Sequence, residues 1–284
     1  MLIKPIHAGL FKLDGGAMYG VVPRQLWQHL NPPDDNNMCT WAMRCLLVDT
    51  GSRVILIDTG MGDKQGEKFR KHFEPHGDMS LINSLAEAGY TPEQVTDVLL
   101  THLHFDHCGG AVKYDERGEA VPTFPNATYW TNEAHYDWAY DPNMRERASF
   151  LHENFVPLRE HGVLRFIDQK QDVEWIEGIR IRFSYGHTEA MMSPIIPVGD
   201  RHLVYCADLM PSAGHIRMPY VMSYDIRPLE TLKDRQALYR DALAQDWTLF
   251  LEHDPEHECA VLHRDAKGRY SAGETFDLAS FMAG

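Results

Sequence analysis

Residues 101–110 read THLHFDHCGG and place His102, His104, Asp106 and His107 within six positions, directly after the apolar run Val98-Leu99-Leu100. Imidazole nitrogens and carboxylate oxygens are the donors that divalent cations accept. Crowding three rings and a carboxylate into so short a stretch serves little without a metal. Further donors stand singly at the ends of other apolar runs: His187 after IRIRFSYG, Asp208 at the end of LVYCAD, and His253 after WTLFLE. Seven such ligands are too many for one ion that keeps an open position, and they suit two. Two cations roughly 3.5–4 Å apart share a bridging water and lower its pKa toward about 7, which makes hydrolysis the expected chemistry.

The elements that must deliver these residues are legible in outline. CLLVDT (45–50) and VILID (54–58) flank the turn Gly51-Ser52-Arg53 and predict a hairpin of buried strands. Ser80 caps a short helix with Leu81, Ile82, Leu85 and Ala88 on one face and Gly89 as its stop. Thr91-Pro92-Glu93-Gln94 carries a capping box. VLLT (98–101) is apolar on both faces, as a covered central strand should be, so the His/Asp cluster begins where a strand ends. NATYW (126–130), VLRFI (163–167), IRIRFSYG (179–186), LVYCAD and WTLFLEHD (247–254) read as further strands. ASFLHENFVPLREH (148–161) reads as a helix interrupted at Pro157, and LETLKDRQALYRDALAQ (229–245) as another helix. No internal repeat, low-complexity block or flexible linker divides the chain, so one α/β domain is expected.

Composition narrows the partners. A net charge of −14, spread along 284 residues, repels phosphate backbones and argues against nucleic acid. Cys39, Cys45, Cys108, Cys206 and Cys259 form no CxxC pair and leave one over in any disulfide scheme, so reduced thiols are expected. MLIKPIHAGLF lacks the apolar stretch of a secretory signal, and runs such as Val54-Ile55-Leu56-Ile57 are too short to cross a bilayer. A cytoplasmic protein without membrane contact is the expectation.

The ordered set H-x-H-x-D-H, Gly186-His187-Thr188, Ala207-Asp208-Leu209 and Glu252-His253-Asp254, with LIDTG (56–60) upstream, resembles the metallo-β-lactamase-fold hydrolases. The resemblance implies an αββα sandwich in a single domain, with a metal-binding core at about 45–254, an N-terminal substrate-access segment at about 11–44 and a short C-terminal extension at about 255–284. It implies that His102, His104 and His187 hold one cation, that Asp106, His107 and His253 hold the second, and that Asp208 bridges them. Zinc is the default, with manganese, iron or cobalt compatible with the same donors. Asp106 would ligate through one oxygen and use the other to orient hydroxide or pass a proton to the leaving group, a catalytic role.

A narrower resemblance lies in Asp14-Gly15-Gly16-Ala17-Met18-Tyr19-Gly20-Val21-Val22-Pro23, Leu26-Trp27 and residues 203–225, which are similar to the YtnP-like branch of quorum-quenching N-acyl-homoserine lactonases. The implied reaction is attack of metal-bridging hydroxide on a lactone carbonyl, with a small-molecule ester or lactone as substrate and a homodimer allowed. Met18, Tyr19, His215, Tyr220 and Tyr224 are the candidate substrate-binding residues. Two departures stand out. Many relatives continue Pro-Gly-His after the Gly-His-Thr step where this chain has Glu189-Ala190-Met191, and a tyrosine found three residues beyond the bridging aspartate in known lactonases is Pro211 here. Tyr220 or Tyr224 would have to reach back.

Plainer readings compete. A lone histidine at a strand end is more often structural than a ligand, and it is the order of the whole set that favours metal. Cys108 fills with packing, since the ligand set is complete without it. Gly109-Gly110 is expected to let the chain turn tightly toward a helix. Met18, Tyr19, Trp27, Met218, Tyr220 and Met222 line an acyl pocket or form ordinary core. A phosphotriester, thioester or other ester hydrolase would use the same centre, because the pocket walls select the substrate. A β-lactamase is disfavoured by the missing export signal and a nuclease by the charge. A diiron oxidoreductase would place glutamate at His104 and add a flavin segment, and a non-enzymatic metal-binding domain would have lost ligands.

Overall fold

The apolar runs build two large β-sheets, beside a two-stranded one, in the computed structural model, which describes residues 1–170 and 173–283. The chain divides into two compact units, Met1–Gly9 with Met43–Lys170, and Leu10–Ala42 with Gln171–Gly284. Among the described residues no helix is long and apolar enough to cross a membrane. All five cysteines are free and buried.

The first unit uses β1 (Leu2–Asp14), β2 (Met38–Asp49), β3 (Val54–Ile57), β4 (Asp97–Leu99), a small hairpin β5 (Val112–Tyr114) and β6 (Ala120–Pro122), β7 (Thr128–Thr131) and β8 (Leu164–Phe166). β1 and β2 run on into the second unit with their Leu10–Asp14 and Met38–Ala42 parts. The larger sheet is ordered β1-β2-β3-β4-β7-β8. The predicted hairpin is present, with Leu46 opposite Ile57 and Asp49 opposite Val54, although β2 begins at Met38 rather than at Cys45. From β3 onward the strands are parallel, Ile57 beside Leu99 and Leu99 beside Trp130. Parallel register puts the C-terminal ends of β3 and β4 at one edge, so Asp58 and His102 emerge side by side. Leu47, Leu56, Val98, Leu100, Tyr129 and Phe155 are fully buried in the core of this unit.

The second unit uses β9 (Val173–Ile176), β10 (Ile179–Ser184), β11 (Met191–Val198), β12 (Arg201–Tyr205), β13 (Thr248–Phe250), β14 (Cys259–Arg264) and β15 (Tyr270–Phe276) in a sheet ordered β15-β14-β13-β12-β11-β10-β9. β10 and β12 are both antiparallel to β11, and β12 is parallel to β13. β10, β12 and β13 therefore point the same way. Their C-terminal ends deliver His187, Asp208 and His253 to one edge. The stretch after residue 255 is no appendage: β14 and β15 complete this sheet.

Two expectations are corrected. Residues 148–161 form a 3₁₀ turn, His152–Asn154, and a short helix, Val156–Glu160, in whose first turn Pro157 sits at low cost because no helical N–H is needed there. Gly109 and Gly110 continue the chain with ordinary negative φ in a 3₁₀ turn. Their glycine identity answers a close approach instead, since a Cβ on Gly109 would lie 2.0 Å from the Met61 carbonyl oxygen and one on Gly110 2.2 Å from that of Thr59.

Candidate metal centre

In the first unit, Asp58 leaves β3 in the left-handed region, φ 59°, which turns its carboxylate back toward the end of β4. Its Oδ1 accepts from the Thr101 amide at 2.8 Å and its Oδ2 from the Thr101 hydroxyl at 2.7 Å. The His107 Nδ1 lies 3.2 Å from the same Oδ2. One buried carboxylate thus fixes Thr101 at the head of the ligand stretch and, six residues later, the tautomer of a ring. A carboxylate can only accept, so Nδ1 carries the proton and Nε2 keeps its lone pair.

His102, His104, Asp106 and His107 are all buried. The His102 Nε2 and His104 Nδ1 face each other at 3.1 Å. Two nitrogens bound tetrahedrally to zinc at about 2.0–2.1 Å stand about 3.3 Å apart, so the spacing is that of a shared ion. Asp106 and His107, on the single helical turn Phe105–Cys108, likewise offer donor atoms within 4.8 Å of one another. The Leu103 amide donates to His135 Nε2 at 2.8 Å, and His135 is itself held through its amide by Asn132 Oδ1 at 2.9 Å. His104 Nε2 lies 3.7 Å from Glu146 Oε1, whose carboxylate also accepts from Trp138 Nε1 and Asn143 Nδ2. Burial pushes the Cys108 thiol up to about 12, and its sulfur donates to Leu103 O, so it is a packing residue and no nucleophile.

In the second unit, Asp208 stands between two rings. Its Oδ2 lies 3.1 Å from His187 Nε2, and its Oδ1 3.1 Å from His253 Nε2. The far nitrogens are already engaged: His187 Nδ1 donates to Asp225 Oδ1 at 2.9 Å and His253 Nδ1 to the Ala42 carbonyl at 2.6 Å. Each Nε2 is left with a lone pair aimed at a carboxylate oxygen, which is repulsive unless a proton or a cation lies between. Burial alone would lower the His187 pKa, but the Asp208 and Asp225 carboxylates outweigh it and hold the ring at about 10. A divalent cation satisfies the same acceptors without a proton, and outer hydrogen bonds of this kind are what orient metal-binding histidines. The histidine and aspartate clusters suit a dinuclear metal site.

The candidate pocket residues divide differently. Tyr19, His215 and Tyr220 form one buried aromatic group, with Tyr19 stacked on His215 at 4.7 Å and on Trp27 at 5.1 Å, and edge-on to Tyr220 at 6.1 Å, and Met18 is buried as well. His215 has Ser212 Oγ at 2.7 Å from Nδ1 and the Met18 carbonyl at 2.9 Å from Nε2. Burial drives its pKa down to about 4. Both nitrogens are engaged and the ring is neutral, so it braces residues 18 and 19. Tyr224 stands apart at 36% exposed.

The profile of the Metallo-beta-lactamase superfamily matches residues 44–253, the stretch that holds all seven candidate ligands. The chain belongs to that superfamily. Its fold is the metallo-β-lactamase fold, and the chain is a metallo-hydrolase. A solved structure described as a "probable metal-dependent hydrolase" from Staphylococcus aureus is 25% identical, with TM-score 0.85 over 97% of this chain and 98% of that one. The dizinc quorum-quenching lactonase AidC, solved with N-hexanoyl-L-homoserine product, shares the fold at TM-score 0.78 and 22% identity, covering 96% and 94%. An N-acyl homoserine lactonase of Bacillus cereus is 25% identical over 188 residues, 62% of this chain and 65% of that enzyme.

Within this superfamily member, sequence reasoning singled out all seven ligand candidates and missed the residues behind them. Asp58 was visible only as part of LIDTG. Asp225, Thr231, His135 and Glu146 carried no signal, because each is a lone polar residue outside any motif and the ligand stretch it supports lies far along the chain: 38 positions for Asp225 and His187, 32 for His135 and Leu103.

Proposed function

We propose that the chain is a dinuclear zinc lactonase that opens N-acyl-homoserine lactones. On this reading His102, His104 and His187 would hold one cation, Asp106, His107 and His253 the other, and Asp208 would serve both. The observation that carries the two-ion reading is Asp208 itself, with its two oxygens each 3.1 Å from a different imidazole Nε2 whose Nδ1 is held elsewhere. The bound ions supply Lewis acidity and lower the pKa of water so that a nucleophile is present at neutral pH.

The chain's own residues do the rest. Asp58, Asp225 and the Ala42 carbonyl hold the Nδ1 protons of His107, His187 and His253 and so keep each Nε2 basic. Asp106 would ligate through one oxygen, and its other oxygen would take the proton given up by the attacking water and pass it to the leaving alkoxide of the opened ring. What supports a lactone as substrate is the sequence relationship to N-acyl homoserine lactonases across most of the chain and the likeness of residues 14–27 to that group of enzymes.

The test is turnover by zinc-loaded protein of acyl-homoserine lactones of several chain lengths beside a simple lactone, a phosphotriester, a thioester and a β-lactam, with His104→Ala as the blank. Dominant turnover of the acyl lactones and a silent blank are expected. Preference for another ester class would leave the metallo-hydrolase intact and remove the lactone assignment.

A further inference from the structure

The helix Pro228–Gln245 directs one face at everything that carries His187 and Asp208. Thr231, Asp234, Arg235, Leu238 and Tyr239 follow the i, i+3, i+4, i+7, i+8 spacing of a single helical stripe. Thr231 Oγ1 donates to Asp225 Oδ2 at 2.8 Å, and Asp225 holds His187. Asp234 Oδ2 accepts from the amides of Tyr185 at 2.7 Å and Gly186 at 3.1 Å, just ahead of His187. Gly186 sits so tightly on the helix that a Cβ there would be 2.2 Å from the Thr231 nitrogen.

Arg235 does the corresponding work for Asp208. It is fully buried, and its guanidinium donates to three main-chain carbonyls: Leu209 at 2.7 Å through Nε, and His215 and Tyr220 at 2.9 Å each through Nη1. Tyr239 adds a bond from its hydroxyl to the Ile216 carbonyl at 2.8 Å. Burying a cation against neutral carbonyls is a costly way to fill space, and an apolar side chain of similar length would fill it without that cost. A planar fork, however, fixes the relative positions of several acceptors at once. Leu209 is the residue next to Asp208, and Ala207 before it is in the left-handed region at φ 44°, so the turn bearing Asp208 needs restraint from outside.

We infer that Arg235 is a positioning residue: it holds the 209–220 loop so that both Asp208 oxygens meet their cations, while Thr231 and Asp234 on the same face hold the His187 turn. The inference rests on the dinuclear reading. An ordinary role in folding would lower stability alone, whereas positioning changes the metal site itself.

The experiment titrates Co(II) into metal-free parent, Arg235→Lys, Tyr239→Phe and Leu238→Ala proteins, recording visible absorption, dissociation constants and thermal stability. Lysine keeps the charge but concentrates its donors on one nitrogen and cannot span Leu209 and Tyr220. Arg235→Lys is expected to bind the cations about 10- to 100-fold more weakly, with an altered cobalt spectrum. Leu238→Ala, a buried residue of the same stripe with no polar group, is expected to lose stability while keeping affinity and spectrum. Arg235→Lys with the parent's affinity and spectrum overturns the inference, as does a Leu238→Ala spectrum altered to the same degree. If Arg235→Lys does not fold, Tyr239→Phe carries the test, and its failure to move either readout overturns the inference. Parent protein that takes up no cobalt overturns the dinuclear reading, and this inference with it, without reference to any variant.

Discussion

Replacing Asp225 by Asn should weaken metal binding with little effect on the fold. Asp225 is buried and accepts from His187 Nδ1 at 2.9 Å through Oδ1 and from Thr231 Oγ1 at 2.8 Å through Oδ2. Asparagine keeps the shape and an acceptor oxygen for the ring, and its amide can donate to the threonine hydroxyl. What disappears is the charge. A hydrogen bond to a charged group contributes about 1.5–3 kcal/mol and a neutral one about 0.5–1.5, so the substitution costs about 1–2 kcal/mol. The loss falls mainly on the metal-bound form, because a cation on Nε2 draws electron density from the ring and makes the Nδ1 proton a stronger donor. At about 1.4 kcal/mol per decade, zinc affinity drops about 5- to 30-fold. Competition against a chromogenic chelator at fixed pH measures it, with thermal unfolding of the metal-free protein as the control. Asp225→Ala should be worse in both readouts, since it strands two buried donors at about 1–3 kcal/mol each. An Asp225→Asn protein that binds zinc within twofold of the parent would refute the reasoning, because Asp225 would then be a packing residue that happens to lie beside the ring.

Three further outcomes are expected. His215 is neutral when folded, with a pKa near 4 against an ordinary 6.5, so the unfolded chain binds the proton first and stability falls as pH drops from about 6.5 toward 4. Urea unfolding of parent and His215→Gln should show the parent's advantage shrinking by about 3 kcal/mol across that window, and a constant difference would contradict the buried neutral ring. Gly109→Ala forces a Cβ to 2.0 Å from the Met61 carbonyl oxygen, and a loss of about 1–3 kcal/mol in chemical denaturation is expected. Asp106→Asn, loaded with excess zinc until elemental analysis shows two equivalents, should turn over about 10²- to 10⁴-fold more slowly, and full turnover with both ions bound would remove its proton-transfer role.

The candidate ligands were legible because strands end in them. VLLT, IRIRFS, LVY and TLF are apolar enough to mark buried strands from composition alone, and the next polar residue that can bind a metal then stands out. β11 was missed for the opposite reason. MMSPIIPV carries Pro194 and Pro197 and no alternation, and a proline inside an apolar run argues against a central strand. It pairs on both sides all the same, with Pro194 opposite Ile181 and Ile195 opposite Val204, because its neighbours in the sheet override its own preference. β2 was read seven residues short since Met38-Cys39-Thr40-Trp41 lacks the aliphatic run that follows it. The aromatic group around Tyr19 joins residues nearly 200 positions apart, His215 to Met18, and no local pattern reports such a pairing.

The two sets of candidate ligands differ in how far their supports lie from them, and this explains which supports could be read. His102 to His107 occupy one stretch, and their chief support, Asp58, leaves the neighbouring parallel strand, so a motif as short as LIDTG already contains it. His187, Asp208 and His253 come from three separate strands, and nothing within a few residues of any of them can fix their mutual placement. A rigid element that touches two of the three turns is required. LETLKDRQALYRDALAQ reads as a helix with no face assigned, and Arg235 in its middle is fully buried. Its guanidinium finds carbonyls of the 209–220 loop, while Thr231 and Asp234 serve the His187 turn. This charge marks the part of the helix that faces the site, and only a loop folded back from residues 209–220 could have revealed it.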